Sequence, residues 1–209
     1  MKALWRKEWL VYGRWYLPAW ILVILVYFTL MSAAMFPPVI DFLPLFAAMA
    51  LPAAMTMYKD AQSGWNMHTT VMCRQKEVLL VKIGIAIFSA MIVFTSTWMI
   101  CRRAEGAMAG ALCTLAAGCL GILIGSFRMS SAGWQIFAAV IGGLSCLLYA
   151  APVSRWIRMV ELVNAGYGYI GIQASETIPP FDIFRFCGIP LLLAGICIVL
   201  TIALAKIRE

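Results

Sequence analysis

The sequence predicts an all-α integral membrane protein with about six transmembrane helices, an N-terminal interfacial helix and a further short helix in its first cytoplasmic loop. Three observations lead there. Of the 209 residues, 64% are apolar and 12% charged; a soluble domain carries roughly 25% charged residues, so this chain lacks the polar side chains to cover a water-facing surface. Apolar runs recur at the length of about 20 residues that a helix needs to cross a bilayer, and none shows the alternation of a membrane β-barrel. The third observation is the polar interval 58–77, set between two of these runs.

Residues 1–16 open the chain. Trp5, Trp9, Tyr12 and Tyr16 recur at three- and four-residue steps among Lys2, Arg6, Lys7 and Arg14. Aromatic rings beside basic residues favour the headgroup region, which predicts an interfacial helix on the cytoplasmic side. Its alternative is the charged flank of the first span. The charged Arg6, Lys7 and Glu8, with no cleavage pattern after the first apolar run, argue against a cleavable signal.

Six spans follow: 17–35, 39–57, 78–101, 107–127, 134–151 and 183–205. Phe36, Pro37 and Pro38 end the first, and Pro44 and Pro52 remove backbone donors within the second. The fourth carries small residues at Gly106, Gly110, Thr114, Ala117, Gly121 and Gly125. Their spacing places them on one helical face, where they permit close backbone approach by another helix. The outer loop 152–182 mixes aromatic residues with Gly166, Gly168 and Gly171, which suggests short or re-entrant helices broken by glycine. The whole of 1–209 reads as one membrane domain.

An even number of spans puts both termini on one side. If that side is cytoplasmic, eleven of the 16 basic residues lie inside and five lie outside. The positive-inside rule therefore favours a cytoplasmic membrane protein with N-in and C-in topology. Arg102 and Arg103 fall on the wrong side of this map. The same rule accounts for the net charge of +7 without nucleic acid as a partner. Seven cysteines lie mostly within apolar runs and form no Cys-x-x-Cys pair, so neither a disulfide framework nor a metal site is expected.

Several chemistries lack their residues. The single histidine, His68, lies in the polar interval and not at membrane depth. The sequence holds no Gly-x-Ser-x-Gly elbow and no phosphate loop. The span centres are nearly free of the acids and bases that an ion-coupled transporter places there. No catalytic site, cofactor or metal of the chain's own is expected.

The interval Tyr58–Lys82 carries the most specific pattern: Asp60, Gly64 and Trp65, then Arg74, Lys76, Glu77 and Lys82. With Met1-Lys2-Ala3-Leu4 and Lys7-Glu8 at the start, the chain resembles the permeases of type 2 ABC exporters. It departs at Val71, where proline is usual, at Cys73 for serine, and at Ile83 for an aromatic residue. The resemblance implies that Asp60, Gly64, Trp65, Arg74, Lys76 and Lys82 form a coupling element docked on a separate ATP-binding ABC subunit. In that element Trp65 is expected to bury its ring in a partner groove or to anchor at the inner headgroup level, Arg74 and Lys76 to pair with acids of the ATPase or with anionic lipid, Asp60 to cap the helix and Lys82 to snorkel to the interface. A second permease subunit, identical or related, completes the assembly. The substrate is then hydrophobic or amphipathic, such as a peptide, lipid or drug. The alternative is a non-transporting sensor or scaffold whose polar loop recruits a cytosolic partner.

Overall fold

The computed structural model describes residues 2–30, 50–60, 75–127, 131–145, 148, 152, 153, 156, 159 and 180–206. Among these residues there are helices and no strands. Helix α1 is Lys2–Leu30, α2 covers 50–60, α3 is Gln75–Cys101 and α4 is Ala104–Ser126. Helix α5 is Ser131–Ser145. A π-helical turn, Phe184–Gly188, leads into α6, Ile189–Lys206. Three helical stretches, Glu77–Met99, Ala104–Ser126 and Phe184–Ala205, are long and apolar enough to cross a membrane.

The first helix departs from the sequence expectation. The interfacial segment 1–16 and the span after it were expected as separate pieces, but one helix runs through both, with Pro18 inside it. Pro18 has no N–H to give to the carbonyl one turn back, yet the flanking turns are continuous. The aromatic stripe of the N-terminal half divides, with Trp5 and Trp9 exposed and Tyr12 and Tyr16 buried. Leu4, Glu8, Tyr12 and Tyr16 are buried against the rest of the chain.

Helix α4 is the centre of the packing. It lies against α3 along its length, and against α6 on another side. The α3–α4 connection is only Arg102 and Arg103. Arg102 makes this hairpin possible by adopting φ 51°, a left-handed conformation costly for a side-chain-bearing residue. Its N–H bonds to the Trp98 carbonyl at 3.0 Å, closing the last turn of α3.

The small-residue face of α4 meets two helices. A Cβ at Gly121 would run into the Ala50 carbonyl oxygen, and one at Gly125 into that of Ala54. A Cβ at Gly125 would also stand 2.5 Å from the Met57 Cβ. One at Gly118 would stand 2.9 Å from the Ala86 Cβ of α3. Gly106 and Gly110 are buried in the first turns of α4. Hydroxyls on the same helix turn inward harmlessly, because Thr114 donates to the Gly110 carbonyl at 2.9 Å and Ser126 to that of Ile122 at 2.7 Å.

Beyond α5 the aromatic residues Trp156, Phe181 and Phe186 form a cluster, with Trp156 and Phe181 edge to face at 4.9 Å. Asp182 accepts a hydrogen bond from the Arg185 N–H at 3.0 Å and so caps the π-helical turn. Most of the predicted outer loop 152–182, and all of 31–49 and 61–74, lie outside the described residues.

The glycine contacts lead to a stability test. Gly121→Ala and Gly125→Ala meet backbone, which cannot rotate away, so each should destabilise the protein by about 1–3 kcal/mol. Gly143→Ala and Gly195→Ala meet nothing within 4 Å and should be neutral or stabilising by up to about 1 kcal/mol. Thermal unfolding of the four variants in detergent checks the order; equal midpoints would refute the close α2–α4 approach.

Candidate functional site: a buried charge clasp

Helices α1, α2 and α3 meet at a group of four charged side chains. Lys7 and Glu8 come from α1, Asp60 ends α2, and Lys82 lies near the start of α3. They form a closed ring. Lys7 Nζ is 2.8 Å from Asp60 Oδ1, and Lys82 Nζ is 3.3 Å from Asp60 Oδ2. Lys82 Nζ is also 2.9 Å from Glu8 Oε2, and Lys7 Nζ is 3.6 Å from Glu8 Oε1. Two ammonium groups and two carboxylates give a formal charge of zero. Burial is nearly complete, with Asp60 and Lys82 each 2% exposed and Glu8 3% exposed.

Helical spacing assembles this ring. Glu8, Tyr12, Tyr16 and Trp20 recur every four residues of α1 and so lie on one face. Thr56 and Asp60 do the same on α2. The two helices run antiparallel, and their polar groups pair in rungs. Tyr12 donates its hydroxyl to Asp60 Oδ1 at 2.5 Å. Tyr16 pairs with Thr56 at 3.1 Å, and Thr56 donates to the Ala53 carbonyl, so Tyr16 is the donor between them. A third rung joins α1 to α3, where the Trp20 indole N–H donates to Ser89 Oγ at 2.8 Å.

Tyr12 is the lid of the ring. Its aromatic face lies 4.6 Å from Lys82 Nζ and 5.3 Å from Lys7 Nζ, within cation–π range of both. Burial raises the Tyr12 phenol pKa above its ordinary value, and the hydrogen bond to Asp60 raises it further. Burial alone would raise the Asp60 carboxyl pKa. The Lys82 charge and the hydrogen bonds from Lys7 and Tyr12 outweigh it, and Asp60 is held below the usual carboxylate range. Asp60 is therefore ionised and Tyr12 neutral at physiological pH. The arrangement is a mechanical fastening: each ionised group is already held by partners of opposite charge.

The predicted site residues separate into three groups. Asp60 and Lys82 come together, but inside the protein. Lys82 does not snorkel, because Glu8 and Asp60 hold its ammonium group beneath Tyr12. Asp60 ends α2, with its carboxylate turned to Lys7, Lys82 and Tyr12; the helix it was expected to cap lies outside the described residues. Neither side chain is at the surface to touch a partner. Lys76 lies in the first turn of α3. Gly64, Trp65, Arg74 and His68 lie outside the described residues. The loop set at 58–77 is shorter than expected, since α2 reaches residue 60 and α3 begins at Gln75.

Sequence reading missed Lys7, Glu8, Tyr12 and Thr56 as members of this site. A signal was present: Lys82 stands several residues inside an apolar run, and a charge at that depth needs a partner of opposite sign. Glu8 is the acid on α1 and Asp60 is the acid closing the preceding helical segment. Among the described residues no three His, Cys, Asp or Glu side chains come close enough to share a metal ion. Comparisons with protein-family models, curated proteins and solved structures find no match.

The clasp makes three predictions. Lys82→Met leaves two buried carboxylates with one ammonium group and should cost about 3–5 kcal/mol. Tyr12→Phe removes a hydrogen bond to a buried charge and should cost about 1.5–3 kcal/mol. Stability should also depend on pH at both ends. The folded Asp60 pKa lies below its ordinary 3.8, so its contribution is full above about pH 5 and is lost as pH falls through and below that value. The folded Tyr12 pKa lies above its ordinary 10.0, so its contribution is full below that pH and is lost as pH rises beyond it. Unfolding midpoints measured from pH 3 to 11 check the profile, and Tyr12→Phe should flatten the alkaline limb.

Proposed function

We propose that this protein is the membrane-embedded permease subunit of an ABC exporter, with both termini and residues 61–74 on the cytoplasmic side. The observation that carries the reading is the clasp itself. Asp60 and Lys82 flank the polar segment and are both fastened to α1. A push on residues 61–74 from below would pass through both flanking helices to α1 at one point. That is the mechanical arrangement a coupling segment needs. Trp65 and Arg74 then meet the partner ATPase, while Asp60 and Lys82 transmit the movement inward.

Two features support placement in a bilayer. The span Phe184–Ala205 is strongly apolar, yet 22% of its spanning window is buried within the chain. Large apolar side chains such as Leu10, Met99, Ile183 and Val199 are exposed. A monomer in water rarely exposes apolar surface on this scale, whereas lipid accepts it. Six spans and a cytoplasmic coupling helix belong to this same reading. Alternating access would follow from ATP-driven closure of the partner subunits, with a second permease completing the pathway for a hydrophobic or amphipathic substrate.

The test separates docking from transmission. Trp65→Ala and Arg74→Glu should reduce co-purification with the ATPase, by about 2 kcal/mol for Trp65 if its ring is a buried hot spot. Lys82→Gln should keep the ATPase bound but disconnect ATP hydrolysis from transport. Full ATPase binding and full transport in all three variants would overturn the reading. Impermeant labelling of a single cysteine at position 68 in intact cells would overturn the topology.

A further inference from the structure

A cleft of about 430 Å³ opens between α1 and α3. Its walls are Trp5, Trp9 and Trp20 of α1 with Ile87, Phe88 and Met91 of α3, and they are almost wholly apolar. The volume lies in the range of small-ligand sites. The walls are fixed by their own packing. Trp20 is 6.0 Å from Trp9 and meets Phe88 edge-on at 5.3 Å, while its indole N–H is held by Ser89. Gly84 forms part of the floor, and the Trp5 ring lies over it, with Cζ2 2.8 Å from where a Cβ would stand.

Charge decides what this cleft takes. Glu8 reaches it, but Lys82 and Lys7 hold the Glu8 carboxylate at 2.9 and 3.6 Å. Among the described residues that line the cleft, a cationic guest therefore meets no free anion. The cations of α1 that stand outside the clasp, Lys2, Arg6 and Arg14, are exposed. Lys2 precedes Trp5 by three residues and Arg6 precedes Trp9 by three, so each cation is a helical neighbour of a cleft tryptophan. Helical spacing thus sets two cations beside the N-terminal end of the cleft, whose depth is apolar and aromatic. That pattern complements an anionic head joined to a hydrocarbon tail.

We infer that the cleft binds an anionic phospholipid of the cytoplasmic leaflet, its phosphate against Lys2 and Arg6 and one acyl chain along Trp9, Trp20 and Phe88. The inference rests on the bilayer placement and cytoplasmic N-terminus proposed above, and not on the ATPase partner. The bound lipid would brace α1 against α3 directly beside the clasp, which makes it a candidate regulator of the movement that the clasp passes on.

Tryptophan quenching tests this on the full chain in nanodiscs of phosphatidylcholine. Phosphatidylglycerol with brominated acyl chains should quench at a lower mole fraction than brominated phosphatidylcholine. Lys2→Gln and Arg6→Gln change exposed residues, and each should raise the half-quenching fraction about fivefold. Gly84→Leu, or Ile87→Phe should the first variant not fold, fills the cleft and should abolish the preference. Equal quenching by the two lipids would overturn the inference. So would a preference that survives cleft filling, since that marks general attraction of anionic lipid to a basic helix, and so would stronger quenching by a brominated alkylammonium amphiphile. Failure of the chain to enter nanodiscs would overturn the bilayer placement itself, and this inference with it, while loss of ATPase binding alone leaves it standing.

Discussion

Four charges gathered at one junction, three of them buried, set the terms for the rest of this structure. Removing an ion from water costs several kcal/mol even after local relaxation, and only close partners with good geometry offset it. Lys7, Glu8, Asp60 and Lys82 meet that demand by closing a ring, with Tyr12 supplying both a hydrogen bond and an aromatic face. The ring cannot slip. A shift of α1 by one residue would take Glu8 from Lys82 and Tyr12 from Asp60 together. The register of three helices is therefore fixed by groups that carry opposite charges, and the Tyr16–Thr56 and Trp20–Ser89 rungs continue it upward.

Above the clasp the interior follows a different rule from that of a soluble domain. Small and weakly polar side chains take many of its positions, including Ala54, Ala86, Cys113, Thr114, Gly121 and Gly125, beside larger ones such as Ile85, Leu120 and Ile124. Large apolar ones such as Leu25, Met91, Leu144 and Leu192 face outward. In the bilayer placement proposed above there is no gain from hiding leucine, and helices associate through close backbone approach instead. Helix α4 shows the consequence, because its glycines allow the carbonyl oxygens of Ala50 and Ala54 to lie against it. The clasp fixes register at one end, and the glycine contacts fix separation along the rest.

These two constraints have different mechanical characters. Close glycine packing is broad and rigid. The clasp is local, and it gathers both helices that flank residues 61–74 onto a single turn of α1. In the coupling reading proposed above, a displacement of that segment reaches α1 through these ionic contacts. Tyr12 touches both ammonium groups and Asp60, so it ties the members of the clasp together.

The helical class, the approximate ends of α3, α4 and the last helix, and the small-residue face of α4 were all legible in the sequence. Each depends on local quantities: the length of an apolar run, the residues that interrupt it, and the spacing of glycine along one helix. The unbroken α1 was less legible, because the change from aromatic–basic to apolar composition near residue 17 marks a change of environment and not a break in the backbone. Lys82 inside an apolar run called for an acid, but which residues close the clasp was decided by tertiary structure. Lys82 and Asp60 read individually as residues near the ends of spans, suited to the interface or to a partner. Their burial follows from Glu8 and Lys7, more than fifty residues away. Ionic attraction acts through space between side chains of opposite sign, and no spacing along the chain records which of them will meet.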